Sequence, residues 1–134
     1  MRIDGACHCG SIRFEAEVDP ETTSLCHCTD CQTLTGSAFR TNVRTVKNGF
    51  KLTSGQPKIY IKTAESGTKR AHAFCQECGT PIYSTSVTNP EIYGLRVGTI
   101  RQRAQLPPKQ MGWWRSAQSW VSDLSGLPRH DKQP

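Results

Sequence analysis

At 134 residues the chain is the size of one domain, long enough to bury about two-thirds of the surface its unfolded form exposes, so no second domain is invoked. Hydrophobic residues make up only 35% and aromatics 7%, so crosslinks are expected to supplement the apolar core, and no apolar run approaches the length that spans a bilayer. The formal charge of +6 comes from scattered lysines and arginines without a basic run, which argues against a nucleic-acid partner and for a small acidic ligand.

Met1-Arg2-Ile3-Asp4-Gly5 reaches the first cysteine without an apolar signal core, and the chain reads as cytoplasmic. From Ser11 to Val18 the residues alternate, with Ile12, Phe14, Ala16 and Val18 on one side and Arg13, Glu15 and Glu17 on the other, the period of a half-buried strand. One helical turn is expected at Asp30 to Leu34. Further strands are expected at 38–43, 50–53, 58–62, 69–74, 81–86 and 92–100, with turns at Asn48-Gly49, Ser54-Gly55, Ser66-Gly67 and Asn89-Pro90. Pro107-Pro108 marks a break, after which Met111 to Leu124 suggests an amphipathic helix whose Trp113, Trp114 and Trp120 pack onto the domain. Many short strands with Gly and Pro punctuation predict a mainly β fold with little helix, one domain over 1–127 and a frayed tail over 128–134.

Seven cysteines fall in three clusters: Cys7-His8-Cys9, Cys26-His27-Cys28 with Cys31, and Cys75-Gln76-Glu77-Cys78. In a reducing compartment, grouped cysteines are metal ligands before they are disulfides, and an odd count leaves a thiol over in any pairing scheme. Zinc prefers four thiolates in a tetrahedron, and seven does not divide by four. The simplest partition is one closed site and one three-thiolate site with a vacant position, the feature that separates catalytic from structural zinc. As thiolates around two Zn²⁺ ions the cysteines lower the formal charge from +6 to +3, which weakens the case for a polyanion further.

Cys75-Gln76-Glu77-Cys78-Gly79 has the form of a zinc knuckle, and Cys7 with Cys9, also followed by a glycine, are the natural second pair. Such a structural site pins the first strand to the middle of the fold. Cys26, Cys28 and Cys31 wrap one metal from a single loop, leaving a position for water, a substrate sulfur or His27, although a histidine between two ligands usually points away from the metal they share. The alternative, in which the triplet feeds a structural site and another cysteine stays free, stays open. Gln32, Thr33 and Gly36-Ser37-Ala38-Phe39 follow at once and are candidates for the substrate wall, while Gly36 in a turn and Phe39 in the core is the plainer reading. His8 is expected to be exposed, His72 to sit on a strand face and His130 in the tail. None of the four histidines stands out as a general base.

The motifs Cys-His-Cys-Gly at 7–10, Cys-His-Cys-Thr-Asp-Cys-Gln at 26–32, Gly-Ser-Ala-Phe at 36–39 and Phe-Cys-Gln-Glu-Cys-Gly-Thr-Pro at 74–81 together resemble the glutathione-dependent formaldehyde-activating enzyme family, which also includes centromere protein V. The resemblance covers nearly the whole chain. It implies a fold of several coiled antiparallel β-sheets, a β-tent, with a structural zinc on Cys7, Cys9, Cys75 and Cys78 and a catalytic zinc on Cys26, Cys28 and Cys31. It also implies carbon–sulfur lyase chemistry joining glutathione to formaldehyde as S-(hydroxymethyl)glutathione. Many members carry a histidine-containing stretch where this chain has Gln110-Met111-Gly112-Trp113.

The leading expectation is therefore a zinc-dependent carbon–sulfur lyase whose partner is a small thiol or glutathione adduct, with Arg40, Arg44 or Lys62 holding substrate carboxylates. Two other classes compete. A non-catalytic zinc module for a protein or nucleic-acid partner draws on the basic charge and lacks a basic cluster. A cysteine-based reductase of the methionine-sulfoxide type, which uses paired zinc knuckles in a related β-fold, needs a free reactive cysteine.

Overall fold

The computed structural model describes residues 1–134. It is mainly β, as expected, with strands β1 (Arg2–Ala6), β2 (Arg13–Cys26), β3 (Arg40–Ser54), β4 (Lys58–Thr63), β5 (Lys69–Phe74), β6 (Pro81–Ser86), β7 (Gly94–Arg96) and β8 (Gln110–Gly112), and one short helix, α1 (Thr29–Thr35). The strands join in the order β1-β2-β3-β7-β6-β5-β4, antiparallel throughout, while β8 runs parallel beside the end of β2. The predicted inward residues Ile12, Phe14, Ala16 and Val18 are all buried, as the alternation requires.

Several expectations are corrected. The segments at 38–43 and 50–53 belong to one long strand: Asn48-Gly49 is not a hairpin turn but a bulge, where the β2–β3 register slips between Ala16↔Phe50 and Val18↔Thr45. Asn48 takes the left-handed region (φ 56), and an added Cβ on Gly49 would lie 2.9 Å from the Glu17 carbonyl, so the bulge brings two backbones together. A second slip between Asp19 and Ser24 absorbs Pro20, which cannot donate to a ladder. The strand expected at 92–100 is cut to Gly94–Arg96, because the Thr99 hydroxyl donates back to the Arg96 carbonyl (2.7 Å) and Ile100 N–H to Val97 (3.0 Å), closing a 3₁₀ turn.

The amphipathic helix expected over Met111 to Leu124 is absent. Its start is strand β8, held by backbone pairing of 110–112 with Ser24, Leu25 and Cys26, followed by short 3₁₀ turns at Trp114–Ser116 and Ser119–Ser122. The serines and Gly112 are weak helix formers, and the backbone donors find partners on β2 instead. Nor do the tryptophans pack into the core: Trp113, Trp114 and Trp120 are 46%, 49% and 55% exposed.

The core lies on one side of the bent sheet and includes Phe14, Val18, Val43, Ile82, Leu95, Ile100 and Leu106, with Phe50 stacked on Tyr93 (4.5 Å) at its border. Gly5 is locked into it. A Cβ there would meet Phe14 at 2.3 Å and the Thr99 carbonyl at 2.5 Å, so β1 can approach only without a side chain. Residues 128–134 are exposed and carry no regular structure.

Candidate functional site

Two similar turns bring four cysteines together. After β1, Gly10 N–H donates to the Cys7 carbonyl (3.1 Å); after β5, Gly79 N–H donates to that of Cys75 (2.7 Å), and both glycines take positive φ (81° and 79°), which costs a glycine little. The four Sγ atoms of Cys7, Cys9, Cys75 and Cys78 all lie within 4.8 Å of one another, with Cys7–Cys9 at 3.6 Å and Cys9–Cys75 at 3.8 Å. A tetrahedral thiolate site with bonds of about 2.3 Å has sulfur–sulfur edges near 3.8 Å, so this donor set fits a metal ion.

Hydrogen-bonding groups surround the sulfurs. Ile12 N–H donates to Cys7 Sγ (3.3 Å), the Ser11 hydroxyl sits 3.2 Å from Cys9 Sγ and 3.4 Å from Cys75 Sγ, and the Thr80 hydroxyl sits 3.1 Å from Cys78 Sγ. That Thr80 hydroxyl, helped by backbone N–H groups, holds the Cys78 thiol down at about 5. Ser11 and Thr80 carry no ligand signal of their own in the sequence; each is marked only by following a motif glycine.

The second cluster is built on a strand end and a helix start. Cys26 ends β2; Cys28 caps α1, its Sγ accepting from Cys31 N–H (3.2 Å); Cys31 lies buried one turn in. The three Sγ atoms lie within 4.8 Å of one another. Cys26 is held at about 5 by the hydrogen bond from the Cys31 thiol, helped by Cys28 N–H and by the charge of Arg40 against burial. Cys31 is pushed well up by that same bond and by burial, so the two share one proton. A metal binding here would displace it.

His27 is not among the grouped donors of either cluster. It is fully buried, its ring lying edge-on to Phe39 (5.5 Å) and Trp114 (5.3 Å). His8 and His130 are exposed. Gln32 is a clamp rather than part of the cleft wall: its amide donates to the carbonyls of His27 (2.8 Å) and Ser116 (3.0 Å), and its oxygen accepts from Gln118 (2.8 Å). Gly36 caps α1 in the left-handed conformation, and Thr33 and Ser37 are exposed.

What the sequence did not signal is the face on which the three-cysteine cluster stands. Residues directly opposed across a ladder share a face, and the registers link Cys26↔Arg40, Asn42↔Arg96, Arg44↔Gly94, Ser84↔Gly94, His72↔Ser84, Arg70↔Ser86 and Lys62↔Arg70. Four arginines, a lysine and a histidine from four strands therefore point the same way, opposite Val43, Leu95 and Ala71. Lys62 is taken by Asp30 of α1 (3.0 Å). Arg40 and Arg96 are buried and converge on His72 Nδ1 (3.4 and 3.2 Å). Burial first, then the charges of Arg96 and Arg40, hold His72 down at about 3, so it is a neutral acceptor.

A cleft of about 870 Å³ opens on this face. Cys26, Arg44 and Arg70 line it together with Met111 and Trp113, and its one acidic residue, Glu91, is paired with Lys47 (3.2 Å). Of the three predicted carboxylate ligands, Arg44 lies in the cleft, Arg40 stands opposite Cys26 and is not among the cleft's lining residues, and Lys62 is engaged elsewhere. Arg70 was missed because nothing in a lone Lys69-Arg70 pair marks which strand face it takes. No helix is long and apolar enough to cross a membrane.

A family model described as glutathione-dependent formaldehyde-activating enzyme matches residues 2–116. Among solved structures, the chain is similar to a crystal structure of a Rhodobacter sphaeroides protein, with a TM-score of 0.61 at 21% identity over 81% of this chain and 98% of that one. At that identity the likeness speaks to the fold.

Proposed function

The chain belongs to the glutathione-dependent formaldehyde-activating enzyme family, and from that premise we propose that it is a zinc-dependent carbon–sulfur lyase acting on a thiol adduct such as S-(hydroxymethyl)glutathione. The observation that carries this reading is that Cys26, one of three clustered sulfurs, lines a cleft whose Arg44 and Arg70 have no acidic partner. In this reading Cys7, Cys9, Cys75 and Cys78 hold a structural zinc, and Cys26, Cys28 and Cys31 hold a catalytic one. A zinc ion with three protein thiolates supplies Lewis acidity and a soft position for a substrate sulfur.

The chain's own residues supply the rest. Arg44 and Arg70 bind the carboxylates of a glutathione-like thiol by charge-assisted hydrogen bonds, and Met111 and Trp113 cover its stem. Arg40, opposite Cys26, stabilises negative charge on the sulfurs beside it. In the cleavage direction the carbon–sulfur bond breaks, the sulfur keeps the electron pair and takes up a proton, and the adduct hydroxyl loses its proton to give formaldehyde. Addition reverses these steps.

Because the addition also proceeds without a catalyst, the test is acceleration. Exchange between formaldehyde, glutathione and their adduct is followed by NMR with and without zinc-loaded protein, alongside elemental zinc content per chain. Faster exchange that is lost in Cys31→Ser supports the reading; exchange at the uncatalysed rate with two zincs bound overturns it.

A further inference from the structure

A second cavity, of about 360 Å³, is lined by Arg40, His72 and Arg96 together with Leu34 of α1, Tyr60 of β4 and Phe74 of β5. Arg40 is 5% and Arg96 7% exposed, and neither has a carboxylate partner. Guanidinium groups are seldom buried without a counter-charge, because the desolvation cost is several kcal/mol per ion in round terms, about as much as a domain can bear. Here two converge on a single neutral histidine nitrogen, the other side-chain partners of Arg96 are the neutral Asn42 Oδ1 (2.6 Å) and Ser84 Oγ (3.4 Å), and the Nε–H of each guanidinium has no acceptor at all. Burial, then the Arg40 charge, pull Arg96 down to about 9, as expected of a cation short of an anion.

The nearby sulfurs do not fill the deficit. Three thiolates around one divalent ion carry a single net negative charge against two guanidiniums, and as thiols they carry none. The acids on this side of the sheet are committed elsewhere, Asp30 to Lys62 and Glu91 to Lys47. Positive charge is left facing the cavity, and Lys58, also without an acidic partner, adds to it at the lining.

We propose that this cavity is a ligand site for a small organic acid, one carboxylate bridging Arg40 and Arg96 while an apolar body the size of a single ring lies against Leu34, Tyr60 and Phe74. The carboxylate supplies the counter-charge that the two guanidiniums lining the cavity lack, and the cavity volume is at the low end for small-molecule sites. The site is distinct from the cleft that holds Arg44 and Arg70 and does not depend on the lyase reading.

The probe is benzoate, with benzamide as the uncharged body of the same shape, titrated into the full-length protein of known metal content by calorimetry and by NMR of the His72 ring and arginine Nε–H signals. Saturable benzoate binding that moves those signals, with benzamide silent, supports the site. Arg96→Gln weakens benzoate by roughly tenfold or more. Should that variant misfold, Leu34→Glu places a carboxylate at the exposed wall, leaves both arginines in place and weakens benzoate to a similar degree. Benzamide binding as tightly as benzoate, no saturation by roughly 10 mM, or unchanged benzoate affinity in either folded variant overturns the proposal. None of these readouts needs turnover, so failure of the lyase reading leaves them intact.

Discussion

Cys26 and Arg40 stand directly opposite each other across the β2–β3 ladder, so the first sulfur of the three-cysteine cluster and a buried guanidinium leave the sheet on the same face. The Cys31 thiol is the larger influence on Cys26, and the Arg40 charge adds to it. In metal-free protein, Cys31→Ala is therefore expected to move the pH midpoint of iodoacetamide alkylation at Cys26 up from about 5, and Arg40→Gln to move it up by less. An unmoved midpoint in Arg40→Gln would show that the guanidinium is too well screened to matter.

His72 is expected to make stability fall on acidification. It is held at about 3 in the folded protein, against 6.5 for an unhindered imidazole. Between those values the unfolded chain binds the extra proton, so the contribution is complete above 6.5 and is lost progressively as pH drops toward 3. Urea midpoints at pH 7.5 and pH 5 should fall further apart in wild type than in His72→Gln, which keeps an acceptor without the titration. Equal differences in both proteins would place the acid sensitivity elsewhere.

The two cysteine clusters should respond differently to mutation. Cys75 is buried in the core cluster and its turn is tied to that of Cys7 and Cys9. Cys75→Ser, or a chelator strong enough to strip both sites, should lower Tm by roughly 10 °C or more. Cys28→Ser, at the surface end of α1, should shift Tm by only a few degrees, of order 1 kcal/mol, and remove turnover. Calorimetry showing equal losses would remove the distinction between a structural and a catalytic cluster.

Gln32 connects α1 to the C-terminal segment through three hydrogen bonds. Gln32→Ala should cost about 1–3 kcal/mol and speed amide hydrogen exchange over 114–122 while leaving β4 to β6 protected. Unchanged exchange there would mean that β8 and Trp114 suffice to dock the segment.

Much of the fold was legible because it rests on local period and punctuation. The bounds of β5 and β6 fall where the alternation and the flanking Gly and Pro put them, and β4 differs by one residue. Strand β1 was not anticipated, since Arg2–Ala6 has no clear period and is placed by pairing with β2 and by the close packing of Gly5 on Phe14. The long reach of β2 and β3 was hidden by Pro20 and Asn48-Gly49, which read as breaks in one dimension and become bulges once a neighbouring strand supplies the remaining hydrogen bonds.

The sequence by itself determined the composition of the two sulfur groups: ligand type and spacing are local properties, and the fold brings together the same sets of four and three cysteines that the partition required. Only the tertiary structure decided what surrounds them. Arg40, Arg44, Arg70 and Arg96 are spread along the chain and look like ordinary scattered charge. Cross-strand registers of β3, β5, β6 and β7 put all four on the face of Cys26, because a strand turns alternate side chains to opposite sides and a ladder fixes which residues stand abreast.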